Sequence, residues 1–204
     1  MNIAVLASGG GSNFQALLNA IREGVLPARI CAVVSNNSAA GALDIARSQN
    51  IPGHHLSQKQ FPSVDAYSEH LISVLGDHRA DFIALAGYMK KIPGTIIARY
   101  RNRITNIHPA LLPSFGGPGM YGMRVHEAVI ASGVKLSGAT VHLVDEEYDR
   151  GPIVLQKAVE VTPDDDPESL ARKVLKIEHE IYPQALKAFA EDRVLLKGTK
   201  VWIR

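Results

Sequence analysis

Asn106, His108 and Asp149 are the residues of this chain whose types and spacing best suit a reaction. The first two lie in Asn106-Ile107-His108-Pro109-Ala110-Leu111-Leu112-Pro113, which begins at the carboxyl end of a predicted strand. Ligands of open α/β sheets bind at such strand ends. Alternation along a strand puts Asn106 and His108 on one face and Ile107 on the other. Pro109 then fixes the chain and disfavours helix directly after the histidine. Asp149 stands in the acidic cluster Asp145-Glu146-Glu147-Tyr148-Asp149-Arg150-Gly151-Pro152, in the loop after the strand that carries His142. A carboxylate beside His108 is expected to raise its pKa and favour imidazolium. An amide, an imidazolium and a supporting carboxylate suit acyl transfer to an amine that the substrate itself supplies. The first two stabilise the oxyanion of a tetrahedral intermediate, and the carboxylate keeps the imidazole charged. No Ser or Cys nucleophile is required. The competing reading of His108 is a structural histidine satisfied within the fold.

A second candidate is the loop Ser8-Gly9-Gly10-Gly11-Ser12-Asn13, between a predicted strand and a predicted helix. Successive glycines let the backbone take positive φ and approach a ligand closely. The free N–H groups and positive dipole end of the following helix favour a phosphate. Phe14 stands where a dinucleotide fingerprint needs a small residue, and no Walker lysine follows, so a phosphate monoester on a small substrate fits better than a dinucleotide. A plain strand-to-helix turn is the alternative.

The elements that must position these residues alternate short β-rich runs with amphipathic stretches, which predicts an α/β fold with a largely parallel sheet. Strands are expected over 2–7, 30–35, 81–86 and 103–107, and helices over 13–23, 39–49 and 63–75. The inward positions are Phe14, Leu17, Leu18 and Ile21, then Leu43, Ile45 and Ala46, then Tyr67, Leu71, Val74 and Leu75. From Gly138 the pattern changes. Strands 139–144 and 151–161 are expected to pair antiparallel across a short acidic loop, and 167–190 is mostly helix. The acids Asp164-Asp165-Asp166 suit that helix's N-terminus better than a metal site, because all three share one local turn.

Composition bounds the function. A length of 204 residues fits one domain over 1–204, with at most a small appendage. The net charge of +2 is too small and too diffuse to indicate nucleic acid. The single cysteine, Cys31, rules out an intrachain disulfide and sits in an apolar run as a buried hydrophobe. No apolar run nears the ~18 residues of a membrane span, and the N-terminus reads as a buried strand, not a signal peptide. The cytoplasm is the expected compartment. The adjacent His54-His55 are not spaced as a ligand pair, and no metal is expected.

Asn106 to Pro113 resembles the core motif of folate-dependent formyltransferases, and Gly138-Ala139-Thr140-Val141-His142 followed by Asp145 to Pro152 resembles their second motif. Leu6 to Asn13 and Leu85-Ala86-Gly87-Tyr88-Met89 place the resemblance in the glycinamide ribonucleotide branch, over nearly the whole chain. The resemblance implies a Rossmann-like open, mostly parallel sheet flanked by helices, with an antiparallel C-terminal strand pair. It implies transfer of a formyl group from the co-substrate 10-formyltetrahydrofolate to the amine of glycinamide ribonucleotide, a step of de novo purine (IMP) biosynthesis, without a metal. It makes Asn106, His108 and Asp149 catalytic. Gly11, Ser12, Asn13, Gly87, Leu175, Lys176, Ile177 and Glu178 would bind the ribonucleotide. Met89, Lys90, Lys91, Ile92, Asn106, Val144, Asp145, Glu146, Glu147, Tyr148 and Asp149 would line the folate site, with ordinary core packing as the alternative for Met89 and Ile92. Partners would be these small molecules, without nucleic acid or membrane, and the protein a monomer or homodimer.

Three features depart from that pattern. Gly116 to Gly122 is glycine-rich and longer than in some relatives, and is expected to form a mobile lid. Val64 stands where some members have a basic residue toward the folate tail, with Lys59 as a nearby substitute. The chain stops at Arg204, short of some members. A tRNA-directed relative would be expected to add a C-terminal domain, and a formyl-folate hydrolase an N-terminal one. A non-catalytic nucleotide-binding module would explain the first loop but not Asn106, His108 and Asp149.

Overall fold

The computed structural model describes residues 1–204, in two compact units, 1–105 and 106–204. The first unit contains β1 (Asn2–Leu6), α1 (Ser12–Arg22), β2 (Arg29–Ser35), α2 (Gly41–Ser48), β3 (Gly53–His55), a 3-10 turn (Gln58–Gln60), α3 (Val64–Asp77), β4 (Phe82–Leu85) and α4 (Gly94–Arg99). Strand β5 (Ile104–His108) carries the chain into the second unit. There follow α5 (Met123–Ser132), β6 (Leu136–Leu143), β7 (Ile153–Glu160), α6 (Pro167–Ala190), β8 (Val194–Lys197) and β9 (Lys200–Ile203). The main sheet has seven strands in the order β3-β2-β1-β4-β5-β6-β7, and β8 and β9 form a separate antiparallel pair.

In the first unit β1 pairs in parallel with β2 and β4, and β2 with β3. Ile3, Ala4, Val5 and Leu6 are fully buried. A central parallel strand covered on both faces reads as a continuous apolar run, as β1 does. Phe14, Leu17 and Leu18 of α1 face the core as expected, and so do Tyr67, Leu71, Val74 and Leu75 of α3. Ser63 caps α3, accepting from the N–H of Ala66 at 3.1 Å.

Helix α2 departs from expectation. Its buried residues are Ala42 and Ala46, while Leu43 and Ile45 are only half-buried. The reason is close approach: a Cβ added at Gly11 would lie 2.9 Å from the Ala42 Cα, so the loop before α1 needs small residues opposite it. Strand β3, helices α4 and α5 and the β8–β9 pair add to the elements expected from the sequence.

In the second unit β6 and β7 pair antiparallel, as expected. A Cβ at Gly138 would lie 2.1 Å from the Lys157 carbonyl oxygen, so glycine is what lets β7 run against β6 there. The register shifts between Val141 and His142. Such bulges re-aim a side chain, and this one falls beside the acidic loop. Helix α6 spans the expected 167–190. Asp166 caps it, accepting from the N–H of Ser169 at 2.6 Å, and Pro167 fills its first turn. Asp165 takes the ammonium of Lys173 at 2.5 Å and the hydroxyl of Thr162 at 2.9 Å, so this part of the acidic cluster is bound locally. No helix is long and apolar enough to cross a membrane.

Candidate active site

The second unit gathers Asn106, His108, His142 and Asp149. Asn106 and His108 come from the end of β5 by strand alternation, with Asn106 half-buried and His108 only 3% exposed. His142 comes from β6 at the bulge and is 2% exposed. Asp149 enters from the acidic loop with φ of +55°, a conformation Asp tolerates better than most residues. Gly151 tightens that loop, since a Cβ there would lie 1.8 Å from the Leu143 carbonyl oxygen. Asp149 Oδ2 lies 3.7 Å from His108 Nδ1 and accepts from the Gly117 N–H at 2.9 Å, while Oδ1 lies 3.5 Å from His142 Nε2. Asn106 Nδ2 lies 3.1 Å from the same His142 nitrogen. The other ring nitrogen of His108, Nε2, donates to the Phe115 carbonyl at 2.8 Å.

The electrostatics correct one expectation. Burial, the largest influence, lowers the His108 pKa, and the nearby His142 lowers it further. Asp149 and the Phe115 carbonyl raise it, but not enough to reverse the net downward shift from 6.5. Without ligands, therefore, Asp149 does not hold His108 as imidazolium. The cause is desolvation of a ring that is almost wholly buried. Burial raises the Asp149 carboxyl, but the imidazoles beside it and the Gly117 N–H outweigh it and hold Asp149 below its ordinary value, the His142 contribution being the largest of these where Nε2 carries the proton.

The segment between His108 and Pro113 is held by Thr140. Its hydroxyl donates to the Ala110 carbonyl at 2.6 Å and accepts from the Leu112 N–H at 3.0 Å and from Gln156 Nε2 at 2.9 Å. One donor and two acceptor positions are thereby all used. Gln156 also donates to the Leu112 carbonyl at 2.9 Å. Gly116 fits closely, since a Cβ there would lie 2.5 Å from Leu112 and 3.1 Å from Asp149. The glycine-rich segment thus begins packed on the acid. Sequence reasoning missed Thr140, His142 and Gln156. The alternation of Thr140 and His142, which places both on one face of β6, was the available signal.

In the first unit Gly11 has φ of +83° and precedes α1. No side chain caps that helix, and its first turn carries no acid. The loop is braced from behind. Ser8 donates to Asn36 Oδ1 at 2.5 Å and accepts from the Met89 N–H at 2.8 Å, and its own N–H donates to the Gly87 carbonyl at 3.1 Å. Gly10 and Ser12 are exposed while Gly11 and Asn13 are buried. The structure thus brings Gly87 and Met89 to the loop that holds Gly11, Ser12 and Asn13.

The remaining expected residues divide. Met89 is exposed, as are Lys90 and Lys91, whereas Ile92 is 4% exposed and packs in the core. Val144 and Asp145 are half-buried and Glu146, Glu147 and Tyr148 exposed. On α6, Glu178 is buried, Leu175 and Ile177 are half-buried and Lys176 faces solvent, so these four do not converge on one point. Val64 begins α3 and is exposed, as is Lys59.

A family model described as formyl transferase matches residues 1–186, and the chain belongs to that family. Several of its relatives carry a narrower name. It is 43% identical over 193 residues to the chloroplastic phosphoribosylglycinamide formyltransferase of Arabidopsis thaliana, covering 94% of this chain and 66% of that protein. It is 35% identical over 203 residues to phosphoribosylglycinamide formyltransferase of Escherichia coli (strain K12), covering 100% of this chain and 93% of that protein. The crystal structure of glycinamide ribonucleotide transformylase 1 from Symbiobacterium toebii matches with a TM-score of 0.93 and 40% identity, over 100% of this chain and 93% of that one. The chain therefore spans about two thirds of the plant relative's length and nearly all of the bacterial ones.

Proposed function

We propose that this protein, as one formyltransferase domain over 1–204, transfers the formyl group of 10-formyltetrahydrofolate to the amine of glycinamide ribonucleotide. The product would be formylglycinamide ribonucleotide in de novo purine biosynthesis. The observation that carries the reading is the cluster of half-buried Asn106 and Asp149 around buried His108, in a chain with relatives that bear this enzyme's name. The neutral amine attacks the formyl carbon, forming a C–N bond as the carbonyl electrons move to oxygen. Asn106 and His108 donate hydrogen bonds to that oxygen. For this, the Nε2–H of His108 exchanges the Phe115 carbonyl for the oxyanion, whose negative charge favours the imidazolium that burial alone disfavours. Asp149 supports that charge and relays the proton from the attacking amine to the leaving folate nitrogen, directly or through a water. The bond from the formyl carbon to the folate nitrogen then breaks. Holding both substrates together supplies much of the remaining acceleration.

In this reading Gly11, Ser12 and Asn13 take the phosphate, and Gly87, Leu175, Lys176, Ile177 and Glu178 contribute to the ribonucleotide site. The pteridine lies along Met89, Lys90, Lys91, Ile92 and the loop from Val144 to Asp149. The setting is the cytoplasm, with small-molecule partners only, and Gly116 to Gly122 acts as a lid. The experiment is to mix purified protein with both substrates, follow folate absorbance and formylated product, and run a control without the ribonucleotide. Product that requires both substrates is expected. Folate deformylation without the acceptor would favour a hydrolase. Ribonucleotide binding with no folate consumption would favour a binding module.

A further inference from the structure

His142 has no role in the reaction described above, yet it is buried at the centre of the cluster and meets two of its three members. Its Nδ1 lies 2.9 Å from the Leu143 carbonyl oxygen, a pure acceptor, so Nδ1 carries a proton. That carbonyl is itself fixed, because Leu143 donates its N–H to the Pro152 carbonyl at 2.8 Å and Gly151 packs against its oxygen. The ring's orientation is therefore set by backbone. The remaining nitrogen, Nε2, lies 3.1 Å from Asn106 Nδ2, which can only donate. It lies 3.5 Å from Asp149 Oδ1, which can only accept while ionised. One nitrogen cannot accept from the first and donate to the second. The shorter contact requires a lone pair on Nε2. A proton there would point an N–H at the Asn106 amide and leave it without its acceptor.

We infer that His142, as the neutral Nδ1–H tautomer, is the positioning residue for Asn106. It accepts one amide hydrogen, fixes which way the amide faces, and leaves the second hydrogen to donate to the developing oxyanion. The inference rests on the formyl-transfer reading for its catalytic consequence, and on geometry alone for the tautomer.

Two measurements test it. The first is a long-range proton–nitrogen NMR spectrum of the ligand-free protein near neutral pH, with His142→Gln used to assign the His142 signals. A protonated Nδ1 and an unprotonated Nε2 are expected. A protonated Nε2 would mean that His142 serves Asp149 instead, and would overturn the inference. This readout does not depend on activity, so an absence of formyl transfer in the wild type would reject the reaction and leave the tautomer tested. The second is kinetic. His142→Phe keeps a flat ring but no acceptor, and should lower kcat about 100-fold with KM for either substrate changed less than about threefold. His142→Gln retains an acceptor oxygen and should recover to within about tenfold of wild type. In an Asn106→Ala background, His142→Phe should reduce kcat by less than about threefold further, because the two act as one unit. Equal losses in the Gln and Phe variants, or a full multiplicative loss in the double variant, would overturn the inference. Thermal melts confirm that each variant is folded.

Discussion

The two candidate binding regions are built from different parts of the chain's chemistry. In the first unit the loop Ser8–Asn13 works through backbone: a glycine at φ of +83°, an uncapped helix start and small neighbours on α2 that allow close approach. In the second unit the cluster works through side chains, with two histidines at 3% exposure or less closing around a carboxylate 3.5 and 3.7 Å away. Backbone N–H groups hold an anion whatever the pH, whereas buried imidazoles and carboxylates exchange protons and answer to burial and to one another. The first construction suits binding, and the second suits chemistry.

The largest expected effect follows from removing the side-chain half. His108→Ala and Asp149→Ala should each lower kcat by at least ~10²–10³, the usual consequence of losing an oxyanion donor or its support. Steady-state rates at saturating substrates check this, with thermal melts to show that the fold persists. Near-normal turnover in either variant would break the division. Next comes the backbone half. Gly11→Ala places a Cβ 2.9 Å from the Ala42 Cα at a positive φ, and should distort the cradle. The expected outcome is a KM for the ribonucleotide raised about tenfold, with a smaller change in kcat and a stability loss on the order of 1 kcal/mol. A kcat loss as large as that of Asp149→Ala would erase the distinction.

A third prediction uses pH. Burial lowers the His108 pKa below 6.5, so as pH falls the unfolded chain takes the proton before the folded one does. The stability contributed by the neutral, buried ring is fully present above 6.5 and is lost as pH falls through the lower folded value. Buried His126 is shifted in the same direction, chiefly by desolvation, and adds to the trend. Melting temperature should therefore decrease on acidification below neutral, with a shallower slope in His108→Gln. An unchanged slope would mean that His108 is not the titrating group. The smallest effects are expected on α6. Arg172→Ala, at an exposed position outside the proposed site, should change kcat and KM less than about twofold, while Glu178→Gln, at a buried one, should raise the ribonucleotide KM more.

The same contrast explains what the sequence made legible. The cradle is local: strand, glycines and helix are consecutive, and glycine's conformational freedom can be read from its identity. Asn106 and His108 were also legible, because strand alternation places them together. Asp149 could be joined to His108, but its other partners, His142 and the Gly117 N–H, could not. Thr140 and His142 offered only their alternation along β6, whereas Gln156 reaches the site opposite Thr140 through the β6–β7 pairing, which depends on tertiary register and not on spacing along the chain. The net direction of the His108 shift was missed for a related reason. A neighbouring acid can be guessed from sequence, whereas the depth of burial that outweighs it comes from packing on every side. The small hairpin β8–β9 and helix α4 were missed because short elements carry little periodicity.

The most direct test of this division between binding and chemistry is a side-by-side measurement of kcat and of the ribonucleotide KM in the wild type, Gly11→Ala and Asp149→Ala, with both substrates varied. Formylated ribonucleotide should form only when both substrates are present, Gly11→Ala should act mainly on KM, and Asp149→Ala mainly on kcat. Equal partition of the losses between kcat and KM in both variants would contradict the division of labour. Folate turnover that ignores the ribonucleotide would contradict the reaction itself.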